Sequence, residues 1–175
     1  DPGLATAQDL LRMIRGQRAG ADFEAALDTY LATITDHGFN ASTFTARVVS
    51  STRAGLISAV LAALCALKGP LHGGAPGPVL DMLDEIGEAS RAEAWFANAF
   101  AKGTRLMGFG HRVYKVRDPR ADVLKHTVAT LPSTAGRLAY AAAVEQGAIA
   151  GLRRYKTGQR LDTNVEYYTA LLLEA

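Results

Sequence analysis

From Gly55 to Lys68 the chain carries apolar side chains on almost every helical face, and Leu56, Ile57, Val60, Leu61, Leu64 and Leu67 leave no polar stripe for water. Such a segment is expected at the centre of a core. The run is too short and too rich in Ala and Ser to cross a bilayer, so no membrane partner is expected. Cys65, the one cysteine, lies inside it and reads as a small buried hydrophobe, and no intramolecular disulfide is possible. The run then breaks at KGPLHGGAPGPV, where glycines and prolines surround His72. That punctuation reads as a hinge between residues 1–73 and 74–175.

The other segments repeat the helical spacing. Ala7–Ile14 follows Thr6 as a cap and stops at Gly16, and Asp22 caps a helix from Phe23 to Thr35. Gly38 breaks the chain at DHGFNAST, Asn40 tolerates left-handed backbone, and Ser42 caps a helix through Val49. Pro78–Ile86, Glu93–Lys102, Arg120–Leu131, Ser133–Tyr155 and a last helix capped by Thr163 or Asn164 complete the set. No period-two run of useful length occurs, so the expected fold class is all-α. At 49% hydrophobic and 21% charged residues the composition is that of a soluble globular protein. Nineteen Lys and Arg against 17 Asp and Glu give a net charge of +2, without the broad basic field of a nucleic-acid binder. No charged-then-apolar leader opens the chain, which makes cytoplasm the simplest compartment.

Charge is instead concentrated in GFGHRVYKVRDPR. Gly108 and Gly110 permit positive φ and close approach of backbone N–H groups to a ligand, His111 can donate or transfer a proton, and Arg112, Lys115, Arg117 and Arg120 attract anions. Metal-ligand spacings, a phosphate-binding GxxxxGK loop and a GxSxG elbow are absent. Chemistry must therefore come from histidine, carboxylate and arginine. His37, at a helix end, reads equally as a dipole cap, His126 reads as an exposed bystander, and Glu166 reads as a first-turn acid that the helix dipole keeps ionised.

Taken in order, ALDTYLATITDHGFNAST, ALKGPLHGGAP, GFGHRVYKVRDPR and TNVEYYTALLLE resemble the citrate synthase family. The resemblance implies a helical fold in which residues 1–73 belong to a large dimerisation domain and 74–175 form a small, CoA-binding and catalytic domain. It implies condensation of acetyl-CoA with oxaloacetate to citrate and CoA, as in the tricarboxylic acid cycle, by a homodimer without metal or permanently bound cofactor. By the same resemblance, His72 polarises the thioester carbonyl, His111 the ketone, and His37 and Arg120 bind the oxo-acid. Asn40 and Ser42 stand behind the His72 ring, while Gly108, Phe109, Gly110 and Lys115 lie along CoA. Glu166 occupies the place of the family's catalytic aspartate, one methylene longer. Arginines that follow that acid in the family have no counterpart, so the chain reads as a piece of a longer enzyme, with little or no turnover alone. Methylcitrate synthases, which accept propionyl-CoA, share these motifs. A citryl-CoA lyase module and a non-catalytic helical CoA-binding or dimerisation module are the other readings.

Elementary chemistry agrees with that assignment. A thioester methyl is a far weaker acid than any carboxylic acid, so a carboxylate base needs the developing enolate charge stabilised in the same step. Glu166 can supply the base and His72 the donor.

Overall fold

A computed structural model of the chain describes residues 1–35, 37–69, 72–110, 117–155 and 161–175. Among these residues the regular elements are helices, joined by one isolated antiparallel bridge between Phe109 and Thr163. The helices are α1 (Thr6–Arg15), α2 (Ala21–Ile34), α3 (Ala41–Ser51), α4 (Leu56–Leu67), α5 (Pro76–Ile86), α6 (Ala92–Ala101), α7 (Pro119–Ala129), α8 (Ala135–Tyr155) and α9 (Val165–Glu174), with a single 3-10 turn at Ala89–Arg91. The all-α expectation holds.

The buried centre is α9. Every residue from Tyr167 to Leu172 is buried, and Tyr167 and Tyr168 have no exposed surface. Two tyrosines this deep need partners for their hydroxyls. Tyr167 donates to the Ala141 carbonyl at 2.8 Å and Tyr168 to Glu145 Oε2 at 2.6 Å, both on α8. Around α9 pack α5 and α7, with Val79, Leu83 and Ile86 from α5 and Leu124 and Val128 from α7 in the same core. α6 closes against α8, where Gly151 admits Phe100: a Cβ there would lie 2.8 Å from the ring. α2 packs on α7 and α9, and brings Tyr30 against the core.

α4 is not the central helix that its composition suggested. It packs along α3, only Ala59 is buried in it, and Leu56 and Ile57 are 80% and 83% exposed. Cys65 is exposed as well. Apolar residues on every side carry no information about which side is covered, and α3 covers one. Val60, Leu61, Leu64 and Leu67 are exposed too.

Several caps also differ from the expected ones. Ala5 precedes α1 and Gln8 reaches back to its N–H at 3.1 Å, so Thr6 lies inside the helix. Gly20 occupies the cap of α2, leaving Asp22 in the first turn, where its charge favours the dipole. Asn40 rather than Ser42 caps α3, with extended backbone and its Oδ1 accepting from Thr43 N–H at 3.0 Å. α5 starts at Pro76, two residues before Pro78, because a proline at the first position has no N–H to leave unpaired.

Two glycines separate backbone strain from crowding. Gly103 and Gly108 both have positive φ, 70° and 82°. A Cβ on Gly103 meets nothing, whereas one on Gly108 would lie 2.9 Å from Tyr167 Cδ2 and 3.0 Å from Val79 Cγ2. Gly103→Ala should cost about 1–2 kcal/mol, and Gly108→Ala about 1–3 kcal/mol more. Urea denaturation of the two variants measures the difference, and equal losses would rule out crowding at Gly108.

Candidate active site

The site is assembled from three chain segments laid side by side. The stretch 162–164, just before α9, lies between Gly108–Gly110 and the start of α7. Asn164 N–H donates to the Gly108 carbonyl at 3.0 Å, Gly110 N–H to the Asp162 carbonyl at 2.7 Å, and Asp118 N–H to the Thr163 carbonyl at 3.2 Å. Asn164 adds a bond from Nδ2 to the Gly110 carbonyl at 2.7 Å. The Gly110 N–H is therefore committed to the protein and does not face a ligand, contrary to expectation. Both glycines allow the loop to lie against its own fold, since a Cβ on Gly110 would come within 3.0 Å of Leu161.

Asp118 ties α7 to α9. Its Oδ1 accepts from Arg120 N–H and Nε, both at 3.0 Å, and its Oδ2 from Arg120 Nη2 at 2.8 Å and Val165 N–H at 3.2 Å. Burial opposes the charge, but the Arg120 side chain and the Arg120 and Val165 N–H groups prevail and hold the carboxyl below its ordinary range. Arg120 is thus clamped through two nitrogens, and Nη1 stands 3.5 Å from His37 Nδ1. Arg117, expected among the anion-attracting cations, is used elsewhere: Nη1 donates to Glu145 at 2.7 Å and Nε to Asp122 at 2.6 Å. Burial works against its charge, and those two carboxylates outweigh it and push its pKa up.

On the facing side, α3 holds His72. Ser42 N–H points at His72 Nε2 at 3.3 Å, Ser42 Oγ lies 2.9 Å from the same nitrogen, and Ser42 Oγ donates to Asn40 Oδ1 at 2.7 Å. The Ser42 N–H calls for an acceptor at Nε2, whereas Ser42 Oγ, its hydrogen given to Asn40 Oδ1, calls for a donor there, so these contacts orient the ring through Nε2 and leave both tautomers open. His37 stacks on it with ring centres 6.2 Å apart.

These parts enclose a cavity of about 250 Å³. His37, His72, Gly108–Gly110, Arg120 and Glu166 line it together, drawn from five separate stretches of chain. Asn40 and Ser42 stand behind His72. His111 and Lys115 lie outside the described residues. Arg105 and Asn164 also line the cavity, and neither was marked as a site residue in the sequence. Their only signal was proximity, Arg105 three residues before Gly108 and Asn164 as the α9 cap. Among the described residues no group of His, Cys, Asp or Glu could hold a metal ion, and no helix is long and apolar enough to cross a membrane.

Glu166 sits in the first turn of α9, with its N–H capped by Asn164 Oδ1 at 3.0 Å. The dipole was expected to keep it ionised. Burial instead pushes its pKa up, aided by the Asp118 charge and only partly opposed by Arg120.

The family model for the citrate synthase C-terminal domain matches residues 1–175. The chain belongs to the citrate synthase family. It is 46% identical over 149 residues to a putative citrate synthase 2 of Mycobacterium tuberculosis, covering 85% of this chain and 39% of that protein. A 2-methylcitrate synthase of the same organism is 42% identical over 126 residues, covering 72% of this chain and 32% of that protein. The citrate synthase of Thermoplasma acidophilum, solved in ternary complex with carboxymethyl coenzyme A and oxaloacetate, superposes with a TM-score of 0.86 at 34% identity. That match covers 99% of this chain and 46% of the archaeal one. The chain thus spans less than half the length of each of these family members.

The raised pKa of Glu166 has a consequence for stability. The folded chain binds this proton more tightly than the unfolded one, so the contribution is complete below pH 4.5 and is lost as pH rises through the folded value. Glu166→Gln should equal the parent in stability below pH 4.5 and exceed it at neutral pH. Urea denaturation across that range tests the sign, and a variant less stable at neutral pH would contradict it.

Proposed function

We propose that this chain carries the condensing half of a citrate synthase-type reaction, in which acetyl-CoA, oxaloacetate and water give citrate and CoA. The observation that carries the reading is one cavity lined by a raised-pKa carboxylate, two histidines and a clamped arginine. Glu166 removes a proton from the acetyl methyl group while His72 donates a hydrogen bond to the thioester oxygen, so enol charge is stabilised as it forms. The enol carbon then attacks the ketone carbon of oxaloacetate. Arg120 and His37 hold the oxo-acid carboxylates, and His111 is assigned to the ketone oxygen. Water finally hydrolyses the citryl thioester to citrate and CoA. A base with a raised pKa is better matched to a weak carbon acid than an ordinary glutamate.

CoA is assigned to the loop Gly108, Phe109 and Gly110, with Lys115 near its phosphates. On the resemblance of the sequence motifs, residues 1–73 are assigned to part of a dimerising domain and 74–175 to a small catalytic domain, in a homodimer. Propionyl-CoA, giving methylcitrate, is the second reading, favoured by the 42% identity to a 2-methylcitrate synthase. One extra methylene changes discrimination by only about 1–3 kcal/mol.

The test is a titration with oxaloacetate and either acetyl-CoA or propionyl-CoA, following thiol release by absorbance and CoA binding by calorimetry. Where the parent releases thiol, His72→Ala and Glu166→Ala should each lower release about 10²–10⁴-fold with CoA binding retained, whereas CoA binding without release marks the chain as the incomplete piece of the enzyme that its sequence implies. Unchanged release in either variant would remove that residue from the mechanism, and loss of CoA binding by the parent would remove the reading itself.

A further inference from the structure

Glu145, on α8, is fully buried and lies outside the cavity. Its Oε1 accepts from Arg117 Nη1 and Thr163 Oγ1, both at 2.7 Å, and its Oε2 from Tyr168 OH at 2.6 Å and Lys125 Nζ at 3.1 Å. None of these donors lines the cavity. Burying a charge among ion-pair partners is weak support for stability, because a well-packed apolar group in the same space is often as good or better. The placement of the donors gives the carboxylate another use.

Thr163 is the middle of the three-segment ladder. Its neighbours Asp162 and Asn164 hold Gly110 and Gly108, its carbonyl holds the N–H of Asp118, and Asn164 caps the helix turn that carries Glu166. Arg117, the second donor to Oε1, immediately precedes Asp118. We infer that Glu145 is a positioning residue that acts through the Thr163 hydroxyl, fixing the first turn of α9, the glycine loop and the start of α7 relative to one another. Any shift of Thr163 moves all three segments at once. This rests on the reading of Glu166 as the base, whose placement against the cavity is what the hydroxyl would set.

Removing the carboxylate would leave Arg117 and Lys125 without it and could unfold the chain, so the test deletes donors instead. Thr163→Val and Tyr168→Phe each remove one hydroxyl from the same carboxylate, on the ladder side and away from it. Both should lower the melting temperature by a comparable amount, about 2–8 °C. The deciding readout is titration of the Glu166 carboxyl followed by ¹³C NMR. In Thr163→Val the first turn relaxes, water reaches the carboxylate and its midpoint falls toward the ordinary value. In Tyr168→Phe, and in Thr163→Ser, which keeps the hydroxyl, the midpoint stays at that of the parent. A midpoint unmoved in Thr163→Val, or moved as far in Thr163→Ser or Tyr168→Phe, makes Glu145 a structural group only and overturns the inference. The readout needs no turnover, so a failure of thiol release, which bears on the condensing reaction, is distinguishable from it.

Discussion

A carboxylate with no access to water persists as an anion only where donors surround it, and Asp118 has them from two helices at once. Arg120 supplies its backbone N–H, Nε and Nη2, and Val165 supplies the backbone N–H at the start of α9. This one group caps α7, orients the Arg120 guanidinium and pulls the first turn of α9 into place. Without it Arg120 would lose the acceptor of its backbone N–H, Nε and Nη2, and Val165 the bond that ties the start of α9 to α7.

Three buried or half-buried carboxylates near the cavity show how donors decide between opposite outcomes. Asp118 and Glu145 have no exposed surface, yet both are held below their ordinary pKa range against burial, because hydrogen bonds from charged and neutral donors favour their ionised form. Glu166 receives no hydrogen bond on its carboxylate from a described residue, and burial pushes it up. The contrast is one of partners, not of depth, and it separates two groups that build the site from one suited to exchange a proton in it. On the opposite wall partners likewise fix His72, whose Nε2 meets the Ser42 backbone N–H at 3.3 Å and Ser42 Oγ at 2.9 Å.

Much of this was legible in the sequence. Helical spacing located each helix to within a few residues, since a helix needs only one apolar stripe and a break at each end. The glycine-bracketed loop and His37, His72, Arg120 and Glu166 were all marked as candidates, and the cavity gathers them. Less legible were the fates of individual groups. Arg117 read as an available cation, and its engagement depends on Glu145, 28 residues away in sequence on another helix. Glu145 itself, in an alanine-rich helix, gave no local sign of being buried.

The sequence alone determined the helical class, the positions of the breaks and the identity of the candidate side chains, because these follow from short-range sterics and residue chemistry. Tertiary structure alone decided which surfaces are covered and which charges are engaged. α4 and α9 are both strongly apolar, yet α9 is enclosed and α4 packs only along α3. Burial and donor geometry are set by contacts between residues far apart in the chain, and no local pattern encodes them.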